Sequence, residues 1–490
     1  MKNMGRNSSQ VNKPISSVIK IAVSNVLKLF SGVLIGFLLP KIFGVADYGY
    51  YRTFTLYVSY AGILSFGFIE GLLLIYGGKD LQDLPKEKFR LYSRIFIIFQ
   101  IIFAVTGALL SLLFIGEVRF VFFAVSIHII GLNVCLYFQT ISQITSRFNE
   151  LSFRNILYSA LISLTVLGLY LFAYLNKDGV DSSIYRLFVL FQVLIQLSVS
   201  IWYLITYRNL VFGKSEKFTE NKSEIREIIR IGLPLLVSNL TSTLILAVDR
   251  QFVNIFFDIN EYAVYSFAYS MFGLFTTATM AISTVLFPIL KRTKQDQLFG
   301  TYSSMIAIIL MFVFVAISLY YPLSWFVPWF LPNYSNSLII FRIIIPGLAI
   351  NSAVTIISHN YYKTSREGFA YFIQCLIVLA LSIGLNCLAY FVFKTTVSIS
   401  IASVIAVIVW YLLTQFYYHL KHKVPILKNS LFMFIMLSVF YGATFIPILW
   451  IAFVVYFVIS VALCLIFYPA LIKSLLNKIN DRKKKTNEIE

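Results

Sequence analysis

Ionisable residues embedded in long apolar runs are where this chain has chemistry to offer. Lys20, Lys28, Glu70 and Arg342 lie inside such runs, and Arg52, Asp249 and Arg250 lie at the ends of two others. A charge at membrane depth is costly, so such a group faces a cavity or a partner. Lys28 lies about 11 residues into the first run, roughly 17 Å along a helix and so near the midplane. Its neighbours Ser24, Asn25, Ser31, Gly32 and Gly36 are small or polar. It reads as a cation awaiting an anionic group, or as a lysine paired within the protein or snorkelling. Lys20, nearer the edge, reads as a snorkelling lysine. Arg342 precedes the Pro346-Gly347 pair, which should kink its helix. Arg52 and Arg250 read as cavity cations or interfacial anchors. Asp249 and Arg250 are adjacent, and neighbours on a helix do not face each other. Glu70, in Gly67-Phe68-Ile69-Glu70-Gly71, reads as a protonatable coupling group or a lysine's partner. The cations Lys28, Arg342, Arg250 and Arg52 are thus candidates for binding an anion, with Glu70 and Asp249 as candidate coupling groups. His128 and His359 read as hydrogen-bonding groups rather than proton relays.

The elements that must position these residues are helices. A 490-residue chain that is 59% hydrophobic, 17% aromatic and 12% charged is built for lipid. Spanning a bilayer core takes about 20 apolar residues, because every backbone polar group must be satisfied within the segment. Fourteen runs of that order occupy 17–40, 53–76, 92–116, 120–142, 153–175, 185–206, 229–257, 263–287, 301–321, 336–359, 369–392, 396–418, 430–447 and 450–472. Of 40 Lys and Arg residues, 30 fall on one side of this ladder and 7 on the other. By the positive-inside rule that split predicts both termini in the cytoplasm. The +19 net charge is therefore a topology signal, and nucleic-acid binding is not expected. Tyr48, Tyr51, Tyr262 and Tyr265 are expected in an interfacial aromatic belt, with the Phe and Tyr content mostly facing lipid. The tail cluster Arg482 to Lys485 reads as a solvated segment that can touch anionic lipid headgroups.

A repeat lies within the ladder. At a shift of 214 residues, Val23-Ser24-Asn25 falls on Val237-Ser238-Asn239 and Phe43 on Phe257. At the same shift, Asp47-Tyr48-x-x-Tyr51 falls on Glu261-Tyr262-x-x-Tyr265. Six runs separate the copies, so both have one orientation, the parallel-repeat architecture of some transporters. The expected organisation is an all-α polytopic membrane protein of about fourteen transmembrane helices. It comprises an N-lobe at 1–206, a basic cytoplasmic linker at 207–228, a C-lobe at 229–418, a helix pair at 419–472 and a basic tail at 473–490.

The loops exclude much. None is long enough for the external catalytic domain of a glycan polymerase, the longest external connection being 322–335. Gly77-Gly78-Lys79-Asp80 lacks the features of a phosphate loop, and no metal spacing is present. Cys135, Cys375, Cys387 and Cys464 all fall in apolar runs and form no disulfide framework. No cofactor is expected, no cleaved signal peptide is expected, and transport rather than covalent chemistry is the expectation.

The chain resembles the polysaccharide-exporting branch of the multidrug/oligosaccharidyl-lipid/polysaccharide (MOP) transporter superfamily. The residues carrying the resemblance run from Phe43 to Tyr51, then Ile231-Gly232-Leu233-Pro234, Asp249-Arg250 and Glu261-Tyr262-Ala263-Val264-Tyr265. Ala263 stands where that pattern has glycine. The resemblance implies an inner-membrane flippase for polyprenyl-diphosphate-linked oligosaccharide repeat units of the O-antigen, capsule or exopolysaccharide type. It would work by alternating access, with membrane lipids and a glycan polymerase and chain-length regulator as partners. A diphosphate requires cations, which Lys28, Arg342, Arg52 and Arg250 can supply, and a basic linker would let the lobes separate. A drug/cation antiporter of the same superfamily and a membrane-embedded glycan polymerase are the competing readings.

Overall fold

The computed structural model describes residues 27, 29–175, 183–292, 295–365, 367–474 and 477. Lys20, Lys28 and the tail from 478 lie outside the described residues. Among the described residues each apolar run is largely helix. In chain order these are α1 (Leu29–Ile42), α2 (Val45–Ser59), α3 (Phe68–Tyr76), α4 (Lys86–Ser111), α5 (Gly116–Ile144), α6 (Phe148–Leu175) and α7 (Ser183–Thr206). They continue as α8 (Phe218–Ile245), α9 (Val248–Phe256), α10 (Ile259–Arg292), α11 (Gln295–Ala316), α12 (Tyr320–Phe330), α13 (Ser337–Ile344) and α14 (Gly347–Ser352). The last are α15 (His359–Thr364), α16 (Gly368–Phe393), α17 (Thr396–His422), α18 (Leu427–Ala443) and α19 (Leu449–Phe467). Among the described residues nine helices are long and apolar enough to cross a membrane, and two bent pairs raise this to 11.

The bent pairs are the second and tenth runs. The second turns by 54° between Val45–Ser65 and Phe68–Tyr76. Phe66 and Gly67 there have φ of 51° and 80°, a left-handed pair that ends one helix and starts another. The break frees backbone carbonyls, and buried amides take them up. Gln100 Nε2 donates to Leu64 O at 3.0 Å, and Asn133 Nδ2 donates to Ala61 O at 3.0 Å and to Gln100 Oε1 at 2.7 Å. The tenth run turns by 45° at Pro346, as its proline-glycine pair predicts. A π-helical turn, Ala353–Ser358, follows.

The chain divides into two compact units, Met1–Thr277 and Ala278–Glu490, with the boundary inside α10. The core of the first unit is an aromatic stack. Phe68 lies on Phe96, Phe96 on Tyr137, and Phe138 on Tyr203 and Tyr207, with centroids 5.1–6.3 Å apart. In the second unit Tyr302 bonds Ser358 at 2.8 Å and receives Gln415 at 2.8 Å, while Tyr321, Phe440 and Tyr456 pack together. These tyrosines are buried, as are Tyr48, Tyr51, Tyr262 and Tyr265 at 1%, 3%, 1% and 0% exposure. The four motif tyrosines therefore do not form an interfacial belt. Tyrosine serves either place, and here neighbouring helices reach the rings before lipid does.

Candidate functional site

Both copies of the acid-tyrosine repeat open a helix. Asp47 and Glu261 sit in the first turns of α2 and α10, where a negative charge favours the helix N-terminus. Tyrosines one and four residues on share a face. The two copies meet. A Cβ at Gly49 would lie 2.6 Å from Ile259 O, so the α2 and α10 backbones touch there. Tyr262 donates its hydroxyl to Arg52 O at 3.3 Å.

The end of α9 completes this cluster. Asn254 Nδ2 donates to Thr53 Oγ1 at 2.7 Å, and Gln251 Nε2 donates to Tyr57 OH at 3.0 Å. Tyr60 donates to Gln251 Oε1 at 3.3 Å. A polar seam thus joins α2 to α9, with spacing of one helical turn on each side.

Asp249 is the buried anion of the cluster, 1% exposed. Its carboxylate accepts the Tyr265 hydroxyl at 2.8 Å, the Tyr269 hydroxyl and the backbone N–H of Arg250 at 2.7 Å. Three donors leave it well satisfied. Arg250 lies over the Tyr269 ring at 5.1 Å and donates Nη2 to Leu246 O at 3.1 Å. The Arg52 guanidinium lies 6.0 Å from the Tyr48 ring centre. In each arginine the Nε is buried and has no hydrogen-bond partner. Among the described residues no carboxylate lies within 4.0 Å of either guanidinium. Both act electrostatically on Tyr262. Asp249 offsets the charge of Arg250, and half-buried Arg52, against its ring face, remains as a surplus of positive charge in this cluster.

The remaining candidates lie elsewhere. Glu70 is half-buried in the first turn of α3, just past the break, with Ser65 Oγ 3.5 Å from its Oε2. Its flanking glycines pack closely: Cβ atoms at Gly67 and Gly71 would lie 2.4 Å from Leu233 N and 2.0 Å from Ile228 O. Gly232, on the facing helix, would place a Cβ 1.9 Å from Gly67 O. The Ile231-Gly232-Leu233-Pro234 stretch is thus the crossing point of α8 over the broken second run. Arg342 belongs to the second unit, half-buried on α13, and acts electrostatically on Tyr320 and Tyr441. Lys28 is not described; three residues on, Ser31 bonds Ser159 O at 3.0 Å and Ser163 Oγ at 2.8 Å. His128 lies edge-on to Phe54 at 5.4 Å, and His359 stacks on Tyr371 at 4.5 Å.

Sequence reasoning missed Gln100, Asn133 and Arg154. Arg154 is 3% exposed, 4.0 Å from the Tyr203 ring, and donates to Thr206 Oγ1 at 2.6 Å. Counting it as a loop charge hid its burial. The only available signal was its place four residues after Glu150, the ion-pair spacing on a helix.

No protein-family profile and no curated protein matches the sequence. Solved structures do match in fold. A lipid II flippase, MurJ, in an inward closed conformation aligns with TM-score 0.66 and 17% identity over 94% of this chain and 100% of its own. A MOP superfamily transporter from Pyrococcus furiosus aligns at 0.52 and 15% over 83% of this chain and 97% of its own. An outward-facing multidrug resistance transporter of the MATE family aligns at 0.52 and 16% over 84% and 95%. At such identities the likeness is one of fold. The chain is an all-α, multi-pass membrane protein with the fold of MOP superfamily transporters.

Proposed function

We propose that this protein is a flippase that moves polyprenyl-diphosphate-linked oligosaccharide repeat units, of O-antigen, capsule or exopolysaccharide type, across the bacterial inner membrane by alternating access. Both termini would be cytoplasmic. Spans 1–6 and 7–12 would form two pseudo-symmetric lobes, with 13 and 14 appended. The observation that carries this reading is half-buried Arg52, which lies against the Tyr48 ring with no carboxylate within 4.0 Å among the described residues, beside the Asp249–Arg250 pair. Such a setting strengthens attraction to an anion and disfavours a cation, since each charge counts for more than in water. A diphosphate fits that chemistry through charge-assisted hydrogen bonds. Lys28 and Arg342 are further candidate cations for the anion, with Glu70 and Asp249 as the candidate groups to couple transport to an ion. The fold supports a transporter: the flippase structure matches 94% of this chain and the multidrug transporter 84%. A glycan polymerase and chain-length regulator would act next to it.

On the charge-based topology, the α2–α9 seam would lie at the external end. A polar seam suits that place, because its hydrogen bonds exchange for water at modest net cost when it opens. The test is ligand stabilisation of purified protein. A polyprenyl-diphosphate oligosaccharide should raise the unfolding temperature, as mass action requires of a ligand that binds only the folded state. Lipophilic cations should not. Lys28→Ala should abolish surface glycan at near-normal protein abundance, with Lys28→Arg retaining part. Stabilisation by the cation and none by the lipid-linked glycan would replace this reading with a drug/cation antiporter.

A further inference from the structure

The segment between α7 and α8 is the natural flexible joint of the sequence, and the fold ties it down. Arg90 and Arg94, one turn apart on α4, direct their guanidinium groups at its backbone. Arg90 donates Nε to Asn209 O at 2.9 Å and Nη1 to Lys214 O at 2.9 Å. Arg94 donates Nε to Val211 O at 3.0 Å, Nη2 to Gly213 O at 2.6 Å and Nη1 to Ser215 Oγ at 3.3 Å. Gly213 has φ of 114°, and a Cβ there would lie 2.9 Å from the Arg90 guanidinium carbon. The segment is therefore shaped to the arginines. Beyond it, Glu216 N–H donates to Glu87 O at 3.4 Å. On α8, Glu224 accepts Lys88 Nζ at 2.6 Å and the Tyr76 hydroxyl at 2.7 Å. From residue 218 the expected linker is already α8.

We propose that residues 209–216 are a fixed strap rather than a flexible tether. Arg90 and Arg94 are its positioning residues, carrying the start of α8 with α4 during transport, so that the lobes pivot at this edge. The last clause rests on the transport reading; the strap itself does not. Both arginines also count among the cytoplasmic positive charges, so a purely topological role is the rival. Lysine separates the two, because it keeps the charge but lacks the planar fork that reaches several acceptors at once.

The full-length protein in inverted membrane vesicles is treated with trypsin, and cuts after Arg208, Lys214 and Lys217 are mapped by mass spectrometry. The same variants are scored for surface glycan. Wild type should be resistant at these sites. The Arg90→Lys/Arg94→Lys double variant should be cut about tenfold faster, since cleavage tracks the population of the opened segment. It should also lose most transport while a cytoplasmic reporter at the C-terminus stays cytoplasmic. The lysine variant carries the test if Arg90→Ala/Arg94→Ala fails to insert. Equal protection of wild type and lysine variant would overturn the strap. Faster cutting with wild-type transport would overturn the carrying role. Proteolysis needs no cargo, so failure of the transport reading is seen separately, as a wild-type protein that moves no glycan.

Discussion

Gly232→Ala should leave little folded protein. A Cβ at that position would stand 1.9 Å from Gly67 O and 2.4 Å from Gly71 N, and both are backbone atoms that cannot swing aside. α8 would have to lift off α3, opening the contact on which the broken second run rests. Overpacking of this kind costs about 3 kcal/mol or more, because rigid neighbours cannot relax. Gly71→Ala strikes the same contact from the other side, 2.0 Å from Ile228 O, and should do comparable harm. The pair of substitutions should be less than additive, since the first already separates the helices. Gly168→Ala is the control, with nothing within 4 Å of its Cβ. Membrane abundance and the unfolding temperature of purified protein read the effect. Normal unfolding of Gly232→Ala would mean that α3 and α8 do not cross there.

The second large effect is expected at Asp249. Alanine there would strand the hydroxyls of Tyr265 and Tyr269 and leave Arg250 beside an uncompensated hollow. Buried donors left unsatisfied cost about 1–3 kcal/mol each, so Asp249→Ala should be severely destabilised. Asparagine keeps the shape and one acceptor, which can still take both hydroxyls, but then turns its amide nitrogen toward the Arg250 N–H, and it should lose roughly half as much. Tyr265→Phe and Tyr269→Phe should each weaken the protein in the same direction. The geometry thus makes Asp249 the anchor that holds Arg250. Thermal unfolding and transport, measured on the same variants, separate that role from ion coupling. An Asp249→Asn protein that unfolds like wild type and yet transports nothing would assign the carboxylate to coupling instead.

The fourteen apolar runs were legible because membrane depth forces helices, and hydropathy reports depth directly. The Pro346 bend was legible too, since proline carries its own steric reason. The bend at Phe66-Gly67 was not. Its glycine reads equally as packing, and the amides that make the break affordable, Gln100 and Asn133, lie on other helices. Arg52 and Arg250 stood out as charges at run ends, but their burial depends on which helices meet there. The acid-tyrosine repeat was visible as a match, while its use as helix opening plus inward ring face appears only once α2 and α10 touch. Arg90 and Arg94 were visible only as charge: a side chain that grips backbone leaves no mark in the residues it grips.

The most direct measurement of the central claim is translocation in proteoliposomes. Purified protein is reconstituted with a fluorescent polyprenyl-diphosphate oligosaccharide in one leaflet, and its arrival in the other is followed with a membrane-impermeant quencher. Transfer well above protein-free vesicles is expected, with loss of that transfer in Arg52→Ala and Arg250→Ala proteins that still fold. Transfer no faster than in empty vesicles, together with movement of a lipophilic cation by the same preparation, would contradict the claim.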